Sequence, residues 1–137
     1  MSAMEKNFKR EISALDEIFE WIAAFASVHQ IDQAAAYAVN LAVEELFTNM
    51  VKYNAGTTDD ILIAIDRNET ELMVTMIDSG GERFDVTQSA EVDVTQSLES
   101  RQPGGLGLHL VKKMVDRLEY EYVNQQNRIT LIKRLES

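Results

Sequence analysis

From Ala14 to His29, apolar residues recur at helical spacing (Leu15, Ile18, Phe19, Ile22, Phe25), and this repeat predicts an amphipathic helix. Ser13, with Asp16 three positions on, is a variant of the capping box and reads as its start. A second helix is predicted from Asp32, a residue suited to the N-cap, through Tyr37, Leu41, Val43, Leu46, Phe47 and Met50 to the stop Asn54-Ala55-Gly56. It is about six turns long at 3.6 residues each.

The period then shortens from 3.6 to 2. Asp60–Asp66 and Glu71–Asp78 read as two antiparallel strands joined by the polar turn Arg67-Asn68-Glu69-Thr70. In the second, Leu72, Val74 and Met76 alternate with Met73, Thr75 and Ile77, so one face can pack on helices. Between Ser79 and Gly105 the pattern dissolves into Gly, Ser, Thr, Gln, Asp and Glu, with the single proline at Pro103. A loop of that length inside a compact domain is functional or disordered. Helical spacing resumes from Leu106 to Leu118 through Leu110, Val111, Met114 and Val115. Two strands, Glu119–Val123 and Arg128–Leu135, close the chain across an Asn124–Asn127 turn. The order helix, helix, hairpin, long loop, helix, hairpin predicts an α+β two-layer sandwich, helices on one face of a mostly antiparallel sheet.

Composition narrows this picture. At 137 residues and 45% hydrophobic content the chain suits one domain, residues 1–137, with a core that needs no staples. It has no cysteine, which excludes disulfides, thiolate metal sites and cysteine nucleophiles and suits a reducing cytoplasm. Met1 to Arg10 is polar and lacks the apolar region of a signal peptide, and no run reaches the roughly 20 apolar residues of a membrane span. The expectation is a soluble, cytoplasmic protein. The 23 acidic and 13 basic residues leave a formal charge of −10, which opposes nucleic acid and anionic membranes as partners. Any nucleotide must then be met by local cations, magnesium or backbone N–H groups.

Three groups of residues could supply that chemistry. Glu45 and Asn49 are four apart on the second predicted helix, hence on one face, with Lys52 and Tyr53 a turn further. An amide oxygen is a hard neutral donor suited to magnesium, and a carboxylate one turn away can take a proton from an attacking hydroxyl. The same spacing also suits a plain solvated Glu/Lys face. Asp78 ends a strand before Ser79-Gly80-Gly81, where missing side chains admit a flat ligand and a carboxylate can accept from an exocyclic amine. Asp-Ser-Gly-Gly is equally good as a turn. Gly104-Gly105-Leu106-Gly107 opens a helix, so its N–H groups and the helix dipole can face an anion, although a flexible hinge has the same composition. It is neither a Walker A loop nor a dinucleotide fingerprint. His29 and His109 lack partners at ligand spacing and read as structural, Met73, Met76 and Met114 read as gap-filling core, and Trp21 reads as core or as a partner surface.

Taken in order, these groups resemble the Bergerat-fold (GHKL) ATPase superfamily shared by gyrase, histidine kinases and MutL. The likeness is greatest to the small bacterial anti-sigma-factor serine/threonine-protein kinases. It covers about Ala36 to Leu135. Val43-Glu44-Glu45-Leu46-Phe47-Thr48-Asn49 is similar to the N-box, Ile77-Asp78-Ser79-Gly80 to the first glycine box and Gly104-Gly105-Leu106-Gly107-Leu108-His109-Leu110-Val111 to the second. Met114-Val115-Asp116 and Asn127-Arg128-Ile129-Thr130-Leu131 are also similar to those kinases. The resemblance implies ATP and magnesium as cofactors, Asn49 on the magnesium and Glu45 as the base for a serine hydroxyl of a protein substrate. Asp78 would meet the adenine amine and Gly80 make room for the base. The phosphates would lie against Gly104, Gly105, Leu106, Gly107 and Leu108, with Gly105 and Gly107 gripping through backbone N–H groups and Lys52 and Arg101 supplying charge. An ATP lid of about residues 82–105 would cover them. The pattern departs from the family where Gly81-Glu82-Arg83 precede Phe84-Asp85, at the start of that lid.

By the same resemblance the partners are a STAS-domain anti-anti-sigma protein and a sigma factor or other regulated target, and the chain is a homodimer. The retained Glu45 points to a kinase. A non-catalytic ATP-binding module that switches protein partners uses the same motifs, and an interaction domain without nucleotide is a third reading.

Overall fold

The structure, a computed structural model, describes residues 3–53, 59–79, 83 and 105–135. Five strands, β1 (Met4–Phe8), β2 (Ile61–Arg67), β3 (Glu71–Ser79), β4 (Arg117–Val123) and β5 (Gln126–Arg134), form one sheet in the order β1-β2-β3-β5-β4. Every neighbouring pair is antiparallel. Three helices, α1 (Leu15–Val28), α2 (Gln33–Tyr53) and α3 (Gly105–Met114), complete the α+β fold. Among the described residues no helix is long and apolar enough to cross a membrane.

The core lies between the helices and one sheet face. From α2 come Val39, Ala42, Val43, Leu46, Phe47 and Met50, the 3.6-residue stripe, and from α1 come Ile18, Ile22 and Phe25. They meet Ile61, Ile63 and Ile65 of β2, Leu72, Val74 and Met76 of β3, and Ile129 and Leu131 of β5. Burying each such side chain contributes about 1.5–3 kcal/mol before chain entropy is subtracted. The opposite face carries Met73, 40% exposed, so Met73 is not the core residue its type suggests, whereas Met76 is fully buried. Trp21 is half-buried and meets Phe8 edge-on, with ring centroids 5.5 Å apart.

The element boundaries differ from the sequence reading in three instructive places. Strand β1 lies in a segment that reads only as polar. Its inward positions are Met4, Lys6 and Phe8, opposite Ile65, Ile63 and Ile61, so a charge interrupts the alternation. The Lys6 ammonium pairs with Glu17 at 2.7 Å and lies 5.6 Å from the Phe8 ring centroid, keeping its charge outside at a sheet edge. Ser13 is not a cap: a 3-10 turn at Ile12–Ala14 leads into α1, whose N-cap is Ala14 without a side-chain bond. Helix α3 stops at Met114, short of Leu118. The Asp116 N–H donates to Ile132 O at 2.9 Å and the Asp116 carboxylate accepts from the Arg134 N–H at 2.7 Å, which commits the chain to the sheet.

Elsewhere the local chemistry acts as read. Asp32 Oδ2 accepts from the Ala35 N–H at 3.0 Å and caps α2. Helix α2 ends at Tyr53, and the stop at Asn54-Ala55-Gly56 lies outside the described residues. Asn68 Oδ1 closes the β2–β3 hairpin by accepting from the N–H groups of Thr70 and Glu71. Asn124 and Gln125, with φ of 53° and 63°, form the two-residue turn between Val123 and Gln126.

A candidate nucleotide site at the end of the central strand

Helix α2 presents Glu45 and Asn49 one turn apart, close to its C-terminus at Tyr53. Asn49 is only 3% exposed, unusual for a side-chain amide. Glu45 is half-buried, and its Oε1 is fully buried with no hydrogen-bond partner among the described residues. Burial pushes the Glu45 carboxyl above its ordinary 4.5, the Lys52 ammonium pulls it back, and Glu44 adds a smaller push upward. Lys52 itself is exposed. A desolvated carboxyl oxygen with no partner is costly in a folded protein and marks a functional position more often than a structural one.

Asp78 is the penultimate residue of β3, on the helix-facing side with Val74 and Met76, and is 2% exposed. Its strand neighbours are Ile61 on β2 and Asn127 on β5. Asn127 is also buried, and its Oδ1 accepts from the Tyr120 hydroxyl. The adjoining pair is held by Gln126 Nε2, which donates to Ser79 Oγ at 3.0 Å. The Arg83 guanidinium lies over the Tyr120 ring, 5.9 Å from its centroid.

The sequence gives no hint of Arg10. Its guanidinium donates to Asp78 Oδ1, to Met50 O at 3.3 Å and to Asp59 O at 3.1 Å. The side chains of Arg10 and Asp78 are 6% and 3% exposed, so this is a buried ion pair. Met50 is in the last turn of α2, where carbonyls lack intrahelical donors and the helix dipole favours a cation. Removing one partner from such a pair costs about 3–5 kcal/mol, because a buried charge is left uncompensated. One guanidinium therefore ties the end of β3 to the residue following Asn49, and brings together two parts of the predicted site that are far apart in sequence.

Helix α3 packs against α2 and begins at Gly105. Gly105, Leu106, Gly107 and Leu108 form its first turn, so the glycine loop enters a helix as read. His109 follows and is exposed, and the His29 ring lies against Phe25 at 4.3 Å. Gly80, Arg101 and Gly104 lie outside the described residues, as does the lid expected at about 82–105 apart from Arg83 and Gly105. Arg10 and Asn127 are the residues that sequence reasoning did not single out as site candidates. Asn127 reads as part of a turn and of the closing segment that resembles the small kinases, and its place opposite Asp78 emerges only once the two strands are paired.

The arrangement offers a carboxylate with one buried oxygen unpartnered among the described residues, a buried amide, a paired acid at a strand end, and a helix whose first turn contains two glycines. The N-terminal turn of a helix can face an anion, and a carboxylate at a strand end can accept from an amine.

Known proteins share this fold. A serine/threonine-protein kinase, BtrW, of Bordetella bronchiseptica is 25% identical over 121 residues, covering 87% of this chain and 84% of that protein. The structure of the RsbU and RsbW domains of Rv1364c from Mycobacterium tuberculosis superposes with a TM-score of 0.70 at 15% identity, over 97% of this chain and 32% of that one. The present chain thus spans about a third of that mycobacterial chain. The SiaB–SiaC complex of Pseudomonas aeruginosa gives 0.63 at 18% identity, over 96% and 88% of the two chains. The Acinetobacter baumannii histidine kinase AdeS gives 0.54 at 12%, over 98% and 68%. With the histidine kinase-like ATPase domain matching residues 8–133, nearly the whole length that carries the sheet, the three helices and the site, the chain belongs to that family.

Proposed function

We propose that the protein is an ATP-dependent serine/threonine-protein kinase of the partner-switching type. It phosphorylates a STAS-domain anti-anti-sigma protein and alternately binds a sigma factor or another regulated protein. The observation that carries this reading is Glu45, a carboxyl with a buried oxygen that has no partner among the described residues, one helical turn from the buried Asn49. A pure nucleotide sensor has no use for such a group. The 25% identity to a protein named a serine/threonine kinase supports the activity, and the fold's occurrence in a SiaB–SiaC complex supports a protein partner. Action in the cytoplasm, as a homodimer, belongs to the same proposal.

ATP supplies the phosphoryl group: the substrate hydroxyl oxygen bonds to the γ-phosphorus while the bond to the bridging oxygen breaks, and ADP leaves with that electron pair. Glu45 accepts the hydroxyl proton on its carboxylate and must therefore be ionised. Activity rises with pH through the raised Glu45 value. Asn49 would hold magnesium through its amide oxygen, and the ion would offset charge on the phosphates. Among the described residues no cluster of His, Cys, Asp or Glu could hold a metal unaided, so most ligands would come from phosphate and water. Asp78 accepts from the adenine amine, with Gly80 beside the base. Gly104, Gly105, Leu106, Gly107 and Leu108 surround the phosphates, and Lys52 and Arg101 offset their charge.

The test is incubation of the protein with labelled ATP, magnesium and a STAS-domain antagonist, alongside Glu45→Gln and Asn49→Ala. Label should appear on a serine or threonine of the antagonist. Glu45→Gln should slow its appearance on the order of 10²- to 10⁴-fold with ATP affinity retained. Saturable ATP binding without transfer to any antagonist would leave the non-catalytic, ATP-gated binding module, and transfer undiminished in Glu45→Gln would remove Glu45 from the chemistry.

A further inference from the structure

We propose that Arg10 is a positioning residue of the adenine pocket, which stays on Asp78 while nucleotide is bound and sets the carboxylate orientation that the adenine amine reads. The inference rests on the assignment of Asp78 to the base. Arg10 is reached from an unexpected direction, two residues beyond the edge strand β1, and its guanidinium is fixed by acceptors in three separate places: Asp78 Oδ1 at the end of β3, Met50 O in the last turn of α2, and Asp59 O before β2. A planar fork held at three points has little freedom to swing, and it transmits that rigidity to the carboxylate it grips.

Two relations between Arg10 and a bound adenine are conceivable, exchange and addition. In exchange, the amine displaces the guanidinium. The amine is neutral and returns only one hydrogen bond, while the departing cation leaves a carboxylate that is 3% exposed without its compensating charge. The loss exceeds the return. In addition, the amine joins Arg10 on the same carboxylate. An ionised carboxylate offers about four acceptor positions on two oxygens, so it can accept from a guanidinium and an amine at once. Addition is therefore the arrangement the energetics favour. On the β5 side the buried Asn127 lies directly across the ladder from Asp78.

It follows that recognition of the amine depends on Arg10, although Arg10 need not touch the nucleotide. The experiment compares ATP with purine riboside triphosphate, which lacks only the amine, in direct binding titrations of the wild type, Arg10→Lys and Arg10→Met. Thermal unfolding and far-UV circular dichroism of each variant establish that it is folded. The wild type should prefer ATP on the order of 10- to 100-fold, the range for a hydrogen bond to a charged group. Arg10→Met should shrink that preference to a few-fold by weakening ATP while the analogue binds nearly as before. Arg10→Lys keeps the charge but not the fork and should fall between, and it carries the comparison alone if Arg10→Met does not fold.

Equal weakening of both nucleotides, with the preference intact, would overturn the proposal and leave Arg10 a clamp of the fold. Tighter ATP binding by Arg10→Met would overturn it in the other direction, making Arg10 a competitor of the base. A wild type that binds both nucleotides equally would show that Asp78 does not read the amine. A wild type that binds neither would instead remove the nucleotide reading on which the proposal stands.

Discussion

Glu45 carries an electrostatic penalty that can be measured without knowing its substrate. Burial favours its protonated form, so between the ordinary 4.5 and its raised native value the folded protein binds more protons than the unfolded chain. Stability therefore falls as pH rises through that window. Glu45→Gln removes the charge at every pH. Urea unfolding should find this variant no different from wild type below 4.5 and modestly more stable than wild type above the window, since solvent screens a carboxyl that is only half-buried. A constant difference at all pH values would mean that the Glu45 charge is not penalised. Glu45, Asn49 and Asp78 were legible in the sequence because their signals are local: a four-residue helical spacing and the end of an alternating strand. Arg10 was not legible, since its acceptors Met50, Asp59 and Asp78 come near only when β1 has joined the sheet.

At the scale of elements, the same distinction between local and distant causes decides what could be read. Both hairpins, α1 and α2 follow from periodicity and turn chemistry. Strand β1 does not, because Lys6 breaks its alternation and its pairing partner β2 is more than fifty residues away in sequence. The early end of α3 likewise depends on the Asp116 bonds to Ile132 and Arg134, which no helical pattern foretells. Two substitutions test the local devices. Asp32→Ala deletes the bond to the Ala35 N–H and should destabilise the protein by about 1 kcal/mol in chemical denaturation. Gln125→Gly relieves a non-glycine residue at φ 63° and should stabilise it by about 0.5–1 kcal/mol, provided the hairpin turn is formed in the folded state only.

Over the whole molecule, the formal charge of −10 sets the field through which any ligand arrives. A polyanion is repelled by it at long range, and the proposed site can offset this only locally, with Lys52 and the N-terminal turn of α3. Stopped-flow association of ATP should therefore accelerate, by a few-fold, as ionic strength rises from about 10 to about 150 mM and the screening length shrinks from about 30 to about 8 Å. A rate that falls with salt would show that the local cations dominate the approach. The fold also separates its two ends along β3. Asp78 lies at one, and the other, at Glu71, is fastened by the Arg67 guanidinium on His29 O at 2.6 Å and by the Leu135 N–H on Thr70 O at 2.8 Å. The rise of a strand puts roughly 20–25 Å between them. Exposed Glu69, on the hairpin at the fastened end, is thus a natural handle: a dye or surface tether attached there holds the molecule by the end of β3 remote from Asp78 and leaves the candidate site open to view.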